Sequence, residues 1–141
     1  MPRADFYLIA KPRFRAEPLR LVCELARKAH DAGTWTLILA RDAQQAELLD
    51  DMLWDMGEDA YIPHQIAGAD IDEEEAAVLI APPDVDAPLR PIVINLRDGA
   101  VDGAVERVLE VVPADESARG PLRERWKQYQ ARGFELNKHD M

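Results

Sequence analysis

Short apolar runs that alternate with stretches of helical periodicity constrain the fold of this chain more than any other feature. Four such runs, each too brief for a helix, lie at residues 6–10, 35–40, 77–81 and 91–96. Continuous apolar runs of about four to eight residues are typical of strands buried on both faces of a parallel sheet. A further short strand is predicted at residues 61–63, near a sheet edge because Pro63 cannot donate a ladder hydrogen bond.

Helices are predicted between these strands from apolar spacing and from the residues at their boundaries. Residues 18–32 begin with a proline that suits a first helical turn, and they end before Gly33, which suits the left-handed position after a helix. A second helix follows the capping residue Asp42 and runs to Met56. Both segments repeat apolar residues at helical spacing, as expected for helices that pack on a sheet.

Two segments near the end of the chain complete the pattern. Residues 121–132 fit a helix that ends at Gly133, or one that Asp115 begins earlier and Gly120-Pro121 weakens or kinks. Residues 104–112 fit a helix that passes into a strand. Strands that alternate with helices imply right-handed crossovers and parallel pairing. The predicted fold is therefore α/β, with a Rossmann-like, mostly parallel open sheet flanked by helices on both faces.

The length and composition are those of one globular domain, here residues 1–141. The single cysteine, Cys23, excludes an internal disulfide framework. The sequence shows neither a secretory leader nor an apolar run of the roughly 20 residues that a membrane helix needs. We therefore expect a cytoplasmic protein without membrane contact. A net charge of −10 argues against strong direct binding to nucleic acids.

The sequence offers no recognisable motif for a cofactor, a metal ion or catalysis. The turn after the first strand lacks glycine, so the phosphate-binding loop of Rossmann-type proteins is missing. His30, His64 and His139 form no metal-ligand pair, and the acidic residues 70–75 lack the spacing of a calcium loop. His64, beside Pro63, is predicted in a surface turn. A small α/β nucleotide-binding or hydrolytic enzyme stays the alternative, because spatial pairing of carboxylates is invisible in a sequence.

The segment LRERWKQYQARGFELN at residues 122–137 is basic and aromatic, although the chain is acidic. Residues 1–118 hold 11 basic and 24 acidic side chains, whereas residues 119–141 hold six and three. On a helix, an apolar stripe lies beside a basic stripe, formed respectively by Leu122, Trp126 and Tyr129 and by Arg119, Arg123 and Lys127. The helix either docks its aromatic stripe on the sheet beneath a solvated basic face, or binds an acidic peptide. Both interpretations can hold on different faces.

Short motifs follow one another along the chain in a characteristic order: FYL, LVCELA, LDDMLW, YIPH followed by IAG, IVINLR, VVP and RERWKQYQARGFELN. Over residues 6–137, this succession resembles the chi subunit family of the bacterial DNA polymerase III holoenzyme. The resemblance implies a non-enzymatic accessory of the clamp-loader complex, with a Rossmann-like fold that has lost nucleotide chemistry. That implication agrees with the missing glycine loop.

The resemblance also implies two protein partners. One is the acidic C-terminal tail of single-stranded DNA-binding protein, which ends in an apolar residue with a free carboxylate, and its family positions correspond to Val112, Arg119, Arg123, Arg125, Trp126 and Gly133. The other is the psi subunit of the clamp loader, or a repair helicase in its place, at positions corresponding to Trp54, Tyr61 and Pro63. Alternatively, Trp54 ends its amphipathic helix against the core. Gly120-Pro121 departs from the family's helix next to Arg119.

Overall fold

A computed structural model describes residues 2–56, 62–68 and 76–141 of the protein, and within them seven strands form one sheet. The strands are β1 (Arg3–Leu8), β2 (Thr36–Leu39), β3 (His64–Ile66), β4 (Val78–Ala81), β5 (Ile92–Asn95), β6 (Arg107–Val112) and β7 (Glu135–Asp140). They lie in the order β3-β4-β2-β5-β6-β1-β7, and every pairing among them is parallel. The predicted α/β fold with a parallel open sheet is confirmed.

The helices of the described residues are α1 (Pro12–Ala16), α2 (Pro18–Asp31), α3 (Ala43–Trp54) and α4 (Arg119–Ala131), and a short 3-10 helix, Glu116–Ala118, precedes α4. Two predicted helix boundaries are confirmed by their geometry. Gly33 follows α2 at a φ of 73°, a left-handed conformation that glycine adopts readily. Asp42 caps α3 by accepting the backbone N–H of Gln45 at 2.7 Å. None of these helices is long and apolar enough to cross a membrane.

The sheet separates two hydrophobic clusters. On one face, α2 and α3 pack through side chains such as Val22 and Leu49. On the other face, α4 packs through Tyr129. Successive strand residues point to opposite faces, and accordingly Phe6 belongs to the α4 cluster while Tyr7 belongs to the other. Helices on both faces explain why a strand such as β4, with the sequence VLIA, is apolar and buried along its whole length.

The structure corrects three predictions of secondary structure. In place of the short strand expected at residues 61–63, the structure has β3, which begins three residues later at His64, while Tyr61 lies outside the described residues. Residues 104–106 are not helical, and β6 alone occupies the segment that fitted a helix passing into a strand. Helix α4 begins at Arg119 rather than at residue 121.

Strand β7 was not predicted, and it determines how the chain ends. It pairs with β1 along the sheet edge, in register from Arg3 opposite Glu135 to Leu8 opposite Asp140. The backbone carbonyl of Met141 accepts the amides of Ala10 and Lys11 at 2.6 and 2.8 Å. The segment after α4 therefore returns to the sheet and lies beside the first strand.

Candidate functional site

Helix α4 begins at the point where the sequence suggested an interruption. The preceding 3-10 turn is capped by the carboxylate of Asp115, which accepts the amide of Ser117 at 3.0 Å. Pro121 is the third residue of α4. The first amides of a helix have no partner within the helix, so the missing N–H of this proline removes no hydrogen bond. Arg119 is consequently placed on the first turn of a continuous helix.

A buried polar network joins α4 to the sheet. The Tyr129 hydroxyl donates to Oε2 of Glu110 at 2.6 Å, and the Asn95 amide donates to the same oxygen at 2.9 Å. Nε of Arg125 lies 2.8 Å from Oε1 of Glu110. Burial raises the pKa of Glu110, against the opposing effects of the Arg125 charge and the hydrogen bonds. Burial also raises the pKa of Tyr129, so its hydroxyl keeps the proton that it donates.

Side chains on the same side of α4 also form hydrogen bonds with the loop that follows β5. Nη1 of Arg125 donates to the carbonyl of Asp98 at 3.0 Å, and the amide of Val101 donates to the Tyr129 hydroxyl at 2.8 Å. Just after the helix, Nη1 of Arg132 donates to the carbonyl of Val101 at 2.6 Å. These polar groups bind the protein itself, so the inner side of α4 holds the helix in place.

A shallow apolar notch of about 350 Å³ opens between the outer flank of α4 and the sheet. Strand β1 contributes Phe6 and Leu8 to its lining, and α4 contributes Leu122 and Trp126. The rings of Phe6 and Trp126 pack at 5.1 Å between centroids, with their planes inclined by 50°. The notch is therefore formed by side chains that are already held by aromatic packing.

Cations surround this notch. Arg123 and Lys127 line it from α4, and Lys138 lines it from β7. Arg119 is exposed one helical turn before Arg123. Across residues 2–56, 62–68 and 76–141, none of these four side chains forms an ion pair or hydrogen bond. Unpaired cations beside an apolar surface suit a ligand with both carboxylate and apolar groups.

Comparison with known proteins identifies the family. The family described as "DNA polymerase III chi subunit, HolC" matches residues 1–137. The chain belongs to this family. The DNA polymerase III subunit chi of Escherichia coli K12 is 33% identical over 120 residues, which cover 84% of this chain and 82% of the relative. That of Pseudomonas aeruginosa is 34% identical over 144 positions, covering 99% and 96%, and that of Haemophilus influenzae is 25% identical over 142 positions, covering 95% and 94%.

Membership of the chi family confirms the resemblance read from the motifs. It assigns the chain to DNA polymerase III as a replication accessory subunit, in agreement with the expectation that it is not itself an enzyme. As a subunit of a larger assembly, a chi-family chain has protein partners in the replication machinery.

The structure brings together only some of the residues expected to bind an acidic tail. Arg123 and Trp126 line the notch, and Arg119 lies beside it. Val112 is buried under α4, in register with Leu8.

Two other expected tail-binding residues lie elsewhere. Arg125 is 5% exposed and paired with Glu110, so its guanidinium does not reach the notch. Gly133 is exposed after the last turn of α4, at a φ of 81°. With a rise of about 1.5 Å per residue, it lies about 15 Å along the helix from Arg123.

Sequence reasoning missed the part of the notch that belongs to the sheet. Phe6 and Leu8 belong to or adjoin a predicted buried run, but no local pattern shows that they line a notch beside a helix. Lys138 lies on β7, which was not predicted. Its register opposite Phe6 puts it on the same face of the sheet as the notch. Only the pairing of the two strands reveals that placement.

Two of the residues expected to bind a psi-type partner, Trp54 and Pro63, lie at the opposite edge of the sheet. Trp54, at the end of α3, is 61% exposed, so it does not end its helix against the core. Its ring meets the ring of His64 edge to face, with centroids 5.3 Å apart. Pro63 precedes β3 and is half-buried, whereas Tyr61 lies outside the described residues.

The prediction that His64 lies in a surface turn is wrong. His64 is the first residue of β3, and it is 9% exposed. Nδ1 lies 2.7 Å from the carbonyl of Ile62, and Nε2 lies 3.1 Å from the carbonyl of Asp50. The imidazole therefore ties β3 to α3 and supports the surface that carries Trp54.

The crevice at the carboxyl ends of the central strands is the usual ligand position of an open α/β sheet. Here Arg41 binds Asp98 at 2.9 Å, and Arg97 donates to the carbonyls of Ala40 and Ala81 at 2.9 Å. Both guanidinium groups therefore bind partners within the protein itself.

Among the described residues, no cluster of histidine, cysteine or acidic side chains could hold a metal ion. Burial raises the pKa of Cys23 to about 12, which makes its thiol a poor nucleophile.

Proposed function

We propose that this chi-family chain is a cytoplasmic, non-catalytic replication adaptor. It links the clamp loader, through a psi-type partner, to the acidic C-terminal tail of single-stranded DNA-binding protein. The observation that carries this proposal is the notch beside Trp126, because an apolar lining is surrounded there by cations that have no partner of their own within the described chain. Such a surface complements a peptide that ends in an apolar side chain and a free carboxylate.

In this proposal the terminal side chain of the tail enters the notch between Trp126 and the β1 residues Phe6 and Leu8. The guanidinium of Arg123, on the α4 side, pairs with the terminal carboxylate, since guanidinium and carboxylate groups match in geometry. Arg119 extends the positive surface by one helical turn. Val112 supports this region from the interior, and Arg125 holds the helix through Glu110.

The affinity expected from these contacts is modest. Burying one apolar side chain is worth about 1.5–3 kcal/mol, and each exposed charge pair about 0.2–1 kcal/mol. Association itself costs several kcal/mol in lost freedom of motion. The proposed contact is therefore weak and transient, and salt weakens it further by screening the exposed charges.

The proposed second surface binds the psi-type partner, either the psi subunit or a helicase in its place. The exposed indole of Trp54, supported by His64, offers the large amphipathic side chain that commonly anchors protein interfaces. Pro63 lies next to His64 along the chain, and Tyr61, which the family correspondence assigns to the same partner, lies outside the described residues. The two proposed surfaces lie at opposite edges of the sheet, so both partners fit at once.

Calorimetric titration tests the proposal. The probe is a short synthetic peptide with consecutive aspartates, an apolar last residue and a free terminal carboxylate, compared with the same peptide lacking its last residue. We expect the complete peptide to bind, and the shortened peptide to lose most of the affinity because the notch stays empty. Equal binding of both peptides, or binding of a single-stranded oligonucleotide in their place, would contradict the proposal.

A further inference from the structure

Lys138 lies across the notch from α4, on the edge strand β7. It is in register with Phe6, and residues in register on parallel strands point to the same face of the sheet. It lines the notch together with Arg123 and Lys127 of α4. Its side chain is exposed and forms no ion pair within the described chain. The apolar notch thus has cations on two sides, one set on a helix and one on a strand.

An acidic residue lies close to Lys138 on the same strand. Asp140 is exposed, in register with Leu8, and alternation along β7 puts it on the face that carries Lys138. Its charge opposes the approach of a carboxylate at that end of β7. The positive charge contributed by β7 is therefore confined to Lys138, opposite Phe6.

An extended peptide directs successive side chains to opposite sides, because its side-chain period is two residues. A groove with cations on one side only would contact every second acidic residue of such a peptide. A groove with Lys127 on one side and Lys138 on the other can contact two acidic residues in succession. The ammonium groups act as point charges on flexible stems, which tolerate the variable geometry of a short peptide.

We propose that Lys138 forms the second side of the binding groove and recognises a carboxylate side chain upstream of the peptide's last residue. This proposal rests on the proposed function, since it assumes that an acidic peptide occupies the notch. It makes Lys138 a specificity-determining residue for consecutive acidic side chains, while Arg123 contacts the terminal carboxylate. A peptide with one acidic residue too few loses the contact with β7.

The test combines Lys138→Ala with single aspartate-to-asparagine changes in the synthetic peptide, measured by titration at low salt. We expect Lys138→Ala to weaken binding of the all-aspartate peptide about 1.5- to 5-fold, as for an exposed charge pair. The loss should disappear with the peptide in which the aspartate facing β7 is asparagine, and persist with the peptide changed at the neighbouring position. This coupling isolates the pairwise contact from general charge effects.

Two matched variants serve as controls. Lys28→Ala removes the same charge from α2, on the other face of the sheet, and should leave the affinity unchanged. Asp140→Asn removes the opposing charge and should tighten binding. The proposal is overturned when Lys138→Ala affects binding no more than Lys28→Ala, or when its effect is equal for every peptide. If the unmodified protein does not bind the all-aspartate peptide at all, that result contradicts the proposed function rather than the role of Lys138.

Discussion

Removing one hydroxyl group from the buried network under α4 should cost a large part of the protein's stability. The change Tyr129→Phe keeps the aromatic ring, which packs against Phe6 at 6.1 Å and against Phe134 at 5.1 Å between centroids. It deletes the donor to Glu110 at 2.6 Å and the acceptor for the amide of Val101 at 2.8 Å. Shape and apolar contacts are preserved, so the effect reports the polar network.

The magnitude follows from the two hydrogen bonds. A bond to a charged group contributes about 1.5–3 kcal/mol, and a neutral bond about 0.5–1.5 kcal/mol. The residue is fully buried, so water cannot replace the lost partner without disturbing the packing. We therefore expect the free energy of unfolding to fall by about 2–4 kcal/mol, a considerable part of the 5–15 kcal/mol typical of a domain.

Urea denaturation of the Tyr129→Phe variant, compared with that of the Tyr7→Phe variant, measures this loss of stability. Tyr7 provides a matched control because, among the described residues, its partly buried hydroxyl has one hydrogen bond, accepted from Arg107 at 3.2 Å. The midpoint should move much further for Tyr129→Phe, with an unchanged slope m if the transition stays two-state. Equal losses for the two variants would refute the reasoning that the Glu110 network, rather than ring packing, holds α4.

Three further changes are expected to act on different properties. Arg123→Ala should weaken binding of the acidic peptide about 1.5- to 5-fold and leave the melting temperature nearly unchanged; calorimetry that detects no weakening at low salt contradicts its role. Trp54→Ser should impair pull-down of the psi-type partner and spare peptide binding, whereas loss of both with unfolding would assign Trp54 to stability. Although burial raises the pKa of Asp5, hydrogen bonds from Arg107 and His139 outweigh it and hold that pKa below its usual value. The stability that Asp5 provides is present at neutral pH and lost as the pH falls below about 4, so Asp5→Asn should flatten the acid limb of a stability profile.

The central sheet could be predicted from the sequence because each inner strand carries its own signal. Residues 77–81 are continuously apolar and residues 91–96 are apolar except for Asn95, as expected for strands buried on both faces. Helix α2 was equally clear, since a proline and a glycine mark its two ends. These features are local, so a single sequence contains them.

Elements whose stability depends on distant partners could not be predicted. Strand β7 reads ELNKHD, a polar sequence without apolar alternation, and it forms through backbone pairing with β1. The sequence places His64 in a surface turn beside Pro63, but its ring nitrogens lie in the interior, 2.7 and 3.1 Å from the carbonyl oxygens of Ile62 and Asp50. In both cases the residues are held by contacts with backbone groups, which the pattern of side chains along the sequence does not show.

The candidate site shows the same division between local and distant signals. The stripe of Arg119, Arg123 and Lys127 beside Trp126 follows from helical spacing alone, and the structure places it on the outer flank of α4. Arg125 belongs to the same basic segment, yet it turns inward because Glu110 lies beneath it. No pattern within residues 119–132 indicates that the carboxylate of Glu110, a residue of β6, lies beneath the helix.

The separation of the two edges has a mechanical consequence. Six strand spacings separate β7, which carries Lys138, from β3, which lies beside Trp54, a span of about 29 Å at the usual strand spacing. A tether attached at both edges pulls across the strands, so every backbone ladder in the sheet carries the load in series. The proposed peptide contact is expected to be far weaker than the fold, so under load the tail would dissociate before the sheet unfolds, and the intact sheet could bind it again.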